Sequence, residues 1–165
     1  MKKIIISAVA KNGVIGRSNG EMPWHVKEEF RHFKNTTFGF PVIMGRKSFD
    51  TLGKPLKGRL NVVITNNPGY QLPFAEVKIF HSLKKAVDYF ESSNQDKIFI
   101  IGGGEIYKQA IGFADEMIIS IMDFEAEGDV FFPEFNKSDW DIVKKDEREQ
   151  FEIVYYVRNK LNLQK

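Results

Sequence analysis

Glu29 stands where a carboxylate is expensive. From Trp24 to Phe33 the chain has helical spacing, with Val26, Phe30 and Phe33 at i, i+4 and i+7. Glu29 fills the i+3 position on that same apolar face, while Lys27, Glu28, Arg31, His32 and Lys34 cover the opposite one. A carboxyl among aromatic side chains must be hydrogen-bonded, paired or protonated. Burial lifts its pKa toward neutrality, which suits a proton donor. The plain alternative is that Glu29 lies at the edge of the stripe and turns out to water. Glu28, one residue away on the polar face, is the internal control and is expected only to solvate the helix.

Two further stretches have the chemistry of phosphate sites. Met44-Gly45-Arg46-Lys47-Ser48 follows a β-branched run and leads into a helix. Free amides and the dipole at such a start attract anions, and Arg46, Lys47 and the Ser48 hydroxyl add donors. Ile101-Gly102-Gly103-Gly104-Glu105-Ile106-Tyr107 is the second junction, where glycines permit close approach of a ligand; a structural turn explains three glycines equally well. Together the two junctions suggest an extended ligand with more than one phosphate. The G-x-G-x-x-G fingerprint is absent after the first strand, which disfavours a standard Rossmann dehydrogenase. The glycine-rich segment Asn12–Trp24 ends in Met22 and Trp24, side chains able to cover an aromatic ligand, and reads as a lid.

The elements that must position these groups are legible as short apolar runs: Ile4–Ile6, Val42–Met44, Val62–Ile64, Ile98–Ile101 and Met117–Ile121. Continuous rather than alternating, they fit strands buried on both faces of a parallel sheet. Helical stripes lie between them, Leu83, Ala86, Val87 and Phe90 in one, Ile106, Ala110 and Phe113 in another. Alternation of this kind predicts an α/β fold with right-handed crossovers. Trp140–Lys145 and Phe151–Arg158 predict two strands joined by a charged turn at Asp146–Glu149, hence an antiparallel edge.

Length and composition narrow the function. The 165 residues suit one domain, 1–165, with a proper core. A net charge of +2 leaves no case for nucleic acid or membrane binding, and no run approaches the length of a membrane span. Absence of cysteine excludes disulfides, thiol catalysis and cysteine zinc sites, and fits a cytoplasmic protein. The start, Met1 to Ala10, reads as a buried first strand, a short signal peptide being the alternative. His25, His32 and His81 are not at metal-ligand spacing, Glu125–Asp129 lacks a calcium-loop pattern, and no metal is expected. His32 is expected on a solvated face.

Taken in order, the motifs Gly13-Val14-Ile15-Gly16, Met22-Pro23-Trp24, Pro41–Arg46, Pro55–Arg59, Ile101–Gly104 with Tyr107, and Glu127-Gly128-Asp129 before Phe132-Pro133 resemble the dihydrofolate reductases of the bacterial chromosomal type. The resemblance covers nearly the whole chain. It implies a three-layer α/β fold: a mostly parallel central sheet of about eight strands, an antiparallel C-terminal edge, and helices on both faces. It implies reduction of 7,8-dihydrofolate to tetrahydrofolate with NADPH as cofactor, antifolate inhibitors as further small-molecule ligands, and a monomer.

By the same resemblance Glu29, Trp24 and Ser120 are the catalytic set. Glu29 would bind the pterin and support protonation at N5, Ser120 would bond that carboxylate, and Trp24 would hold an ordered water. Ile6, Phe30, Phe33, Leu52, Arg59 and Ile101 would complete the substrate site, Arg59 pairing with the α-carboxylate. Ala8, Ile15 and Gly16 would lie beside the nicotinamide; Gly45, Lys47 and Ser48 at the pyrophosphate; Arg46, Thr65 and Asn66 around the adenosine 2′-phosphate. His81 would line the adenine site. Asn19, Gly20, Met22, Gly102, Gly103, Gly104, Glu105, Ile106 and Tyr107 complete the cofactor set, with a cis Gly102–Gly103 peptide. Three departures stand out: Ser120 where threonine is usual, one extra lid residue around Ser18–Glu21, and Glu105 in place of a base. The rival readings are a pyrimidine reductase of riboflavin synthesis, against which Glu29 and Arg59 argue, and a non-catalytic NADPH-binding module.

Overall fold

The computed structural model describes residues 1–159; residues 160–165, the end of the expected domain, lie outside the described residues. The β-branched runs become the centre of an eight-stranded sheet: β1 (Lys2–Val9), β3 (Val42–Gly45), β4 (Asn61–Ile64), β6 (Lys97–Gly102) and β7 (Glu116–Met122). With β5 (Lys78–Phe80), β9 (Trp140–Glu147) and β10 (Phe151–Arg158) the order is β5-β4-β3-β6-β1-β7-β10-β9. The strands from β5 to β7 pair in parallel, and β10 runs antiparallel to both β7 and β9. This is the expected mostly parallel sheet with an antiparallel C-terminal edge.

Side-chain alternation along the strands divides the core in two. Ile5, Ile43, Ile100, Met117 and Ile119 face one side, where α3 (Leu83–Glu91) and α4 (Gly104–Ala110) pack through Phe90, Ile106 and Tyr107. Ile4, Ile6, Met44, Phe99, Ile118 and Met122 face the other, covered by α1 (Lys27–Thr37) through Phe33, by α2 (Arg46–Leu52) through Phe49, and by Val26 just before α1. Burying a side chain such as Phe49 or Phe90 contributes roughly 2 kcal/mol, so both layers are held by apolar area. No described helix is long and apolar enough to cross a membrane.

Four local differences from the sequence reading have physical causes. The first helix begins at Lys27 rather than Trp24, because Val26 is extended and its carbonyl accepts the amides of Glu29 and Phe30. Part of the lid is ordered as β2 (Val14–Gly16), paired with β8 (Val130–Phe131). Phe113 lies beyond the end of α4. The strand β9 runs on to Glu147, and the turn is closed later, where the Arg148 amide donates to the Phe151 carbonyl.

Candidate active site

Register delivers the two polar groups of the apolar face to each other. Ser120 on β7 lies opposite Ala8 of β1 and Ile153 of β10. Alternation turns its side chain to the side of Ile118 and Met122, the side that α1 covers. Glu29 comes down from α1 onto this position and is only 5% exposed, whereas its helical neighbour Phe30 is 37% exposed. The edge-of-stripe alternative is therefore overturned: the carboxyl is deeper than the aromatic beside it. Burial pushes the Glu29 carboxyl up to about 7, against the opposing pull of a hydrogen bond from Ser120.

The other face of α1 behaves differently. Glu28 does more than solvate the helix, since its carboxylate accepts from Arg148 of the β9–β10 turn at 3.0 Å. That turn also folds over His32, which is half-buried rather than on a solvated face. Burial first, and then the Arg148 charge, hold the His32 imidazole below its usual pKa, opposed by Asp146.

Around Glu29 stand the other expected substrate residues. Ile6 is buried and Ile101 partly buried on the same side of the sheet. Trp24 packs edge-on against Phe124, ring centroids 5.7 Å apart. Its indole Nε1 is buried and has no hydrogen-bond partner among the described residues. Phe30 stacks at a tilt on His25, and Leu52 and Met22 are exposed at 43% each. Arg59 is held on the Phe33 side: its Nη1 donates to Thr37 Oγ1 at 3.1 Å, its Nε to the Lys57 carbonyl, and its guanidinium lies 5.9 Å from the Phe33 ring. The loop presenting it is tied by buried Asn61, whose side chain bonds both polar groups of the Leu56 backbone and the Arg59 carbonyl.

The two glycine junctions prove to be neighbours. Met44 pairs with Gly102 in the sheet. A Cβ on Gly45 would meet Ile106 Cγ1 at 3.3 Å, and one on Gly103 would meet Ser48 Oγ at 3.3 Å. Gly102 has φ +116°, a conformation that favours glycine, and the Gly102–Gly103 peptide is cis as expected. Gly104 abuts Val130 of β8 and Ile15 of β2, bringing the lid's strand to the junction. Tyr107 is buried behind it, its hydroxyl donating to the Ile6 carbonyl at 2.7 Å. These contacts leave the glycine backbones and Ser48 along one seam at the carboxyl ends of β3 and β6, the usual ligand side of such a sheet, with Lys47 preceding Ser48 on the wall of the cleft described next.

An open cleft of about 480 Å³ lies away from Glu29, between the lid residues Ser18 and Asn19 and the α2 residues Arg46, Lys47 and Thr51. The lid tip reaches this helix because Gly20 packs on Thr51. The lid is anchored at its base: the Ser18 amide donates to Asp129 Oδ1 at 2.7 Å, Arg17 Nε to the Glu127 carbonyl, and Asn12 exchanges two bonds with Ala126. The Ser18 hydroxyl and amide hold the Asp129 carboxyl below its usual range.

The sequence matches a family described as dihydrofolate reductase over residues 3–162. The chain belongs to the dihydrofolate reductase family. It is 34% identical to the dihydrofolate reductase of Bacillus subtilis, covering 97% of this chain and 95% of that one. It is 41% identical to that of Neisseria gonorrhoeae, covering 90% and 89%. Among solved structures it resembles the Enterococcus faecalis dihydrofolate reductase complexed with NADP(H) and RAB-propyl, with a TM-score of 0.88 at 29% identity over 96% of this chain and 97% of that one.

The remaining residues expected from the family fall as follows. Ala8 sits on β1 beside Ser120. Thr65 is buried after β4, its hydroxyl accepting from the Asn67 amide and its carbonyl 2.9 Å from His81 Nδ1. Asn66 is exposed next to it. Glu105 is exposed in the first turn of α4, accepting from Gln109 at 3.4 Å. Among the described residues no cluster of three or more metal-ligating side chains occurs. Thr37 and Asn61, which hold Arg59, were not singled out from sequence; an asparagine opening an otherwise apolar strand is the signal that marks Asn61.

Proposed function

We propose that the protein reduces 7,8-dihydrofolate to 5,6,7,8-tetrahydrofolate with NADPH, and that Glu29 is the residue through which it manages the proton. The observation that carries this is a carboxyl sequestered on an apolar helix face, lifted to about 7, beside a glycine seam suited to a dinucleotide. NADPH supplies the hydride that reaches C6.

The chain supplies position and electrostatics. Glu29 binds the pterin 2-amino group and N3, and Ser120 fixes the orientation of its carboxyl. In a dry site a carboxyl that is part-protonated at neutral pH raises the effective basicity of N5, through water held at the Trp24 indole. Ile6, Phe30, Phe33, Leu52 and Ile101 hold the pterin and benzoyl rings, and Arg59 pairs with the α-carboxylate. On the cofactor side Ala8, Ile15 and Gly16 flank the nicotinamide, while Gly102–Gly104, Gly45, Lys47 and Ser48 follow the pyrophosphate. Arg46, Thr65 and Asn66 surround the 2′-phosphate. The chain acts as one monomeric domain in the cytosol, with antifolate inhibitors competing at the Glu29 site.

The test is the absorbance of reduced nicotinamide. Oxidation of NADPH only when dihydrofolate is present supports the reading. Oxidation with an aminopyrimidine precursor of riboflavin instead, or binding with no oxidation, overturns it.

A further inference from the structure

Arg46 opens α2 on the wall of the cleft, its side chain 44% exposed. An arginine in water samples many rotamers, and ordering it on a ligand opposes binding. Here it is already restrained. Nη1 donates to Asp50 Oδ2 at 3.2 Å, one helical turn along. The second carboxylate oxygen, Oδ1, accepts from the Tyr70 hydroxyl at 2.7 Å.

Tyr70 does not belong to α2. It lies in the loop after β4, the loop that carries Thr65 and Asn66, and that loop is internally pinned. The Asn67 amide donates to Thr65 Oγ1 at 3.2 Å, the Gly69 amide to Asn67 Oδ1 at 2.9 Å, and the Tyr70 amide to the Asn67 carbonyl at 3.2 Å. The sequence Arg46–Asp50–Tyr70 therefore ties one wall of the adenosine end to the other. The bond to Asp50 engages a single guanidinium N–H, which leaves the rest of the planar fork to meet a phosphate.

We propose that Asp50 and Tyr70 are positioning residues that hold the Arg46 guanidinium ready for the 2′-phosphate of the cofactor, and so set the preference for the phosphorylated dinucleotide over the unphosphorylated one. The proposal rests on the reductase reading, which places Arg46, Thr65 and Asn66 around that phosphate. A carboxylate near a phosphate also repels it. Two donors draw on the Asp50 charge, however, and the open cleft is wet enough to screen much of what remains. Positioning outweighs repulsion.

Tyr70→Phe and Asp50→Asn of the full chain separate these effects. KM is measured for NADPH and for NADH with dihydrofolate, and Kd by calorimetry for NADP+ and NAD+. The expected result is a loss confined to the phosphorylated nucleotides, roughly threefold for Tyr70→Phe and roughly tenfold for Asp50→Asn. Values for NADH and NAD+ should stay within about twofold. Unchanged or tighter binding of NADP+ would show that Asp50 merely repels the phosphate and would overturn the proposal, as would equal weakening of both nucleotides. Calorimetry needs no turnover. A wild-type protein that prefers NADP+ to NAD+ but does not reduce dihydrofolate removes the reductase reading while the selectivity test still decides this one.

Discussion

The two faces of α1 hold adjacent glutamates with opposite surroundings. Glu28 points outward and is met by Arg148 at 3.0 Å, in a pair whose side chains are 40% and 34% exposed. Glu29 points inward, meets no cationic partner among the described residues, and accepts a hydrogen bond from Ser120 amid apolar side chains. Residue type is identical and separation is one position, so chemistry here is assigned by burial. An exposed pair gains little, because water and salt screen it. A buried carboxyl without a cation is held near neutrality and becomes useful for moving a proton.

The comparison breaks most visibly in turnover. Glu29→Gln should lower kcat at neutral pH on the order of a hundredfold or more, with partial recovery in acid as dihydrofolate becomes protonated in solution; pH-resolved steady-state kinetics measure both. The same change should stabilise the ligand-free protein. The folded pKa of about 7 lies above the ordinary 4.5, so the charged form is disfavoured in the folded state. The resulting penalty is absent below pH 4.5, grows as pH rises toward 7, and is complete above it. Denaturant melts should therefore show Glu29→Gln more stable than wild type by about 3 kcal/mol at pH 8, with the gain fading toward pH 4.5.

Ser120→Ala sharpens the inner half of the comparison. The serine bond favours the ionised carboxylate, so removing it should raise the Glu29 pKa further and move the pH–rate profile to higher pH. The smallest effect belongs to the outer half. Glu28→Gln should cost little stability, change kcat by less than about twofold and leave the pH–rate profile in place. A displaced profile in that variant would show that the two glutamates are not independent.

Much of this was readable in the sequence, and the parts that were not share a cause. Strands such as Ile98–Ile101 and Val62–Ile64 are visible because burial on both faces demands uninterrupted apolar residues. The three-residue strand at Val14 is hidden in a glycine-rich loop because pairing with Val130–Phe131 decides it. The one at Lys78 is hidden because its residues are only half-buried. The far end of β9 is invisible because Asp146 and Glu147 sit on an exposed edge strand, where apolar pattern is not required. In the site, Glu29 announces itself because a carboxylate interrupts an apolar stripe. Ser120 is reached only through the family resemblance, and Asn61, Asp50 and Tyr70 do not stand out, because their meaning lies in partners distant along the chain or in another element, and only register or loop geometry brings those together.

Carbon-detected NMR titration of the Glu29 side-chain carboxyl in the ligand-free protein tests the central claim most directly. A midpoint near 7 is predicted. A Glu29 midpoint near 4.5 would mean that the carboxyl is solvated, and the account of how this fold moves a proton would be wrong.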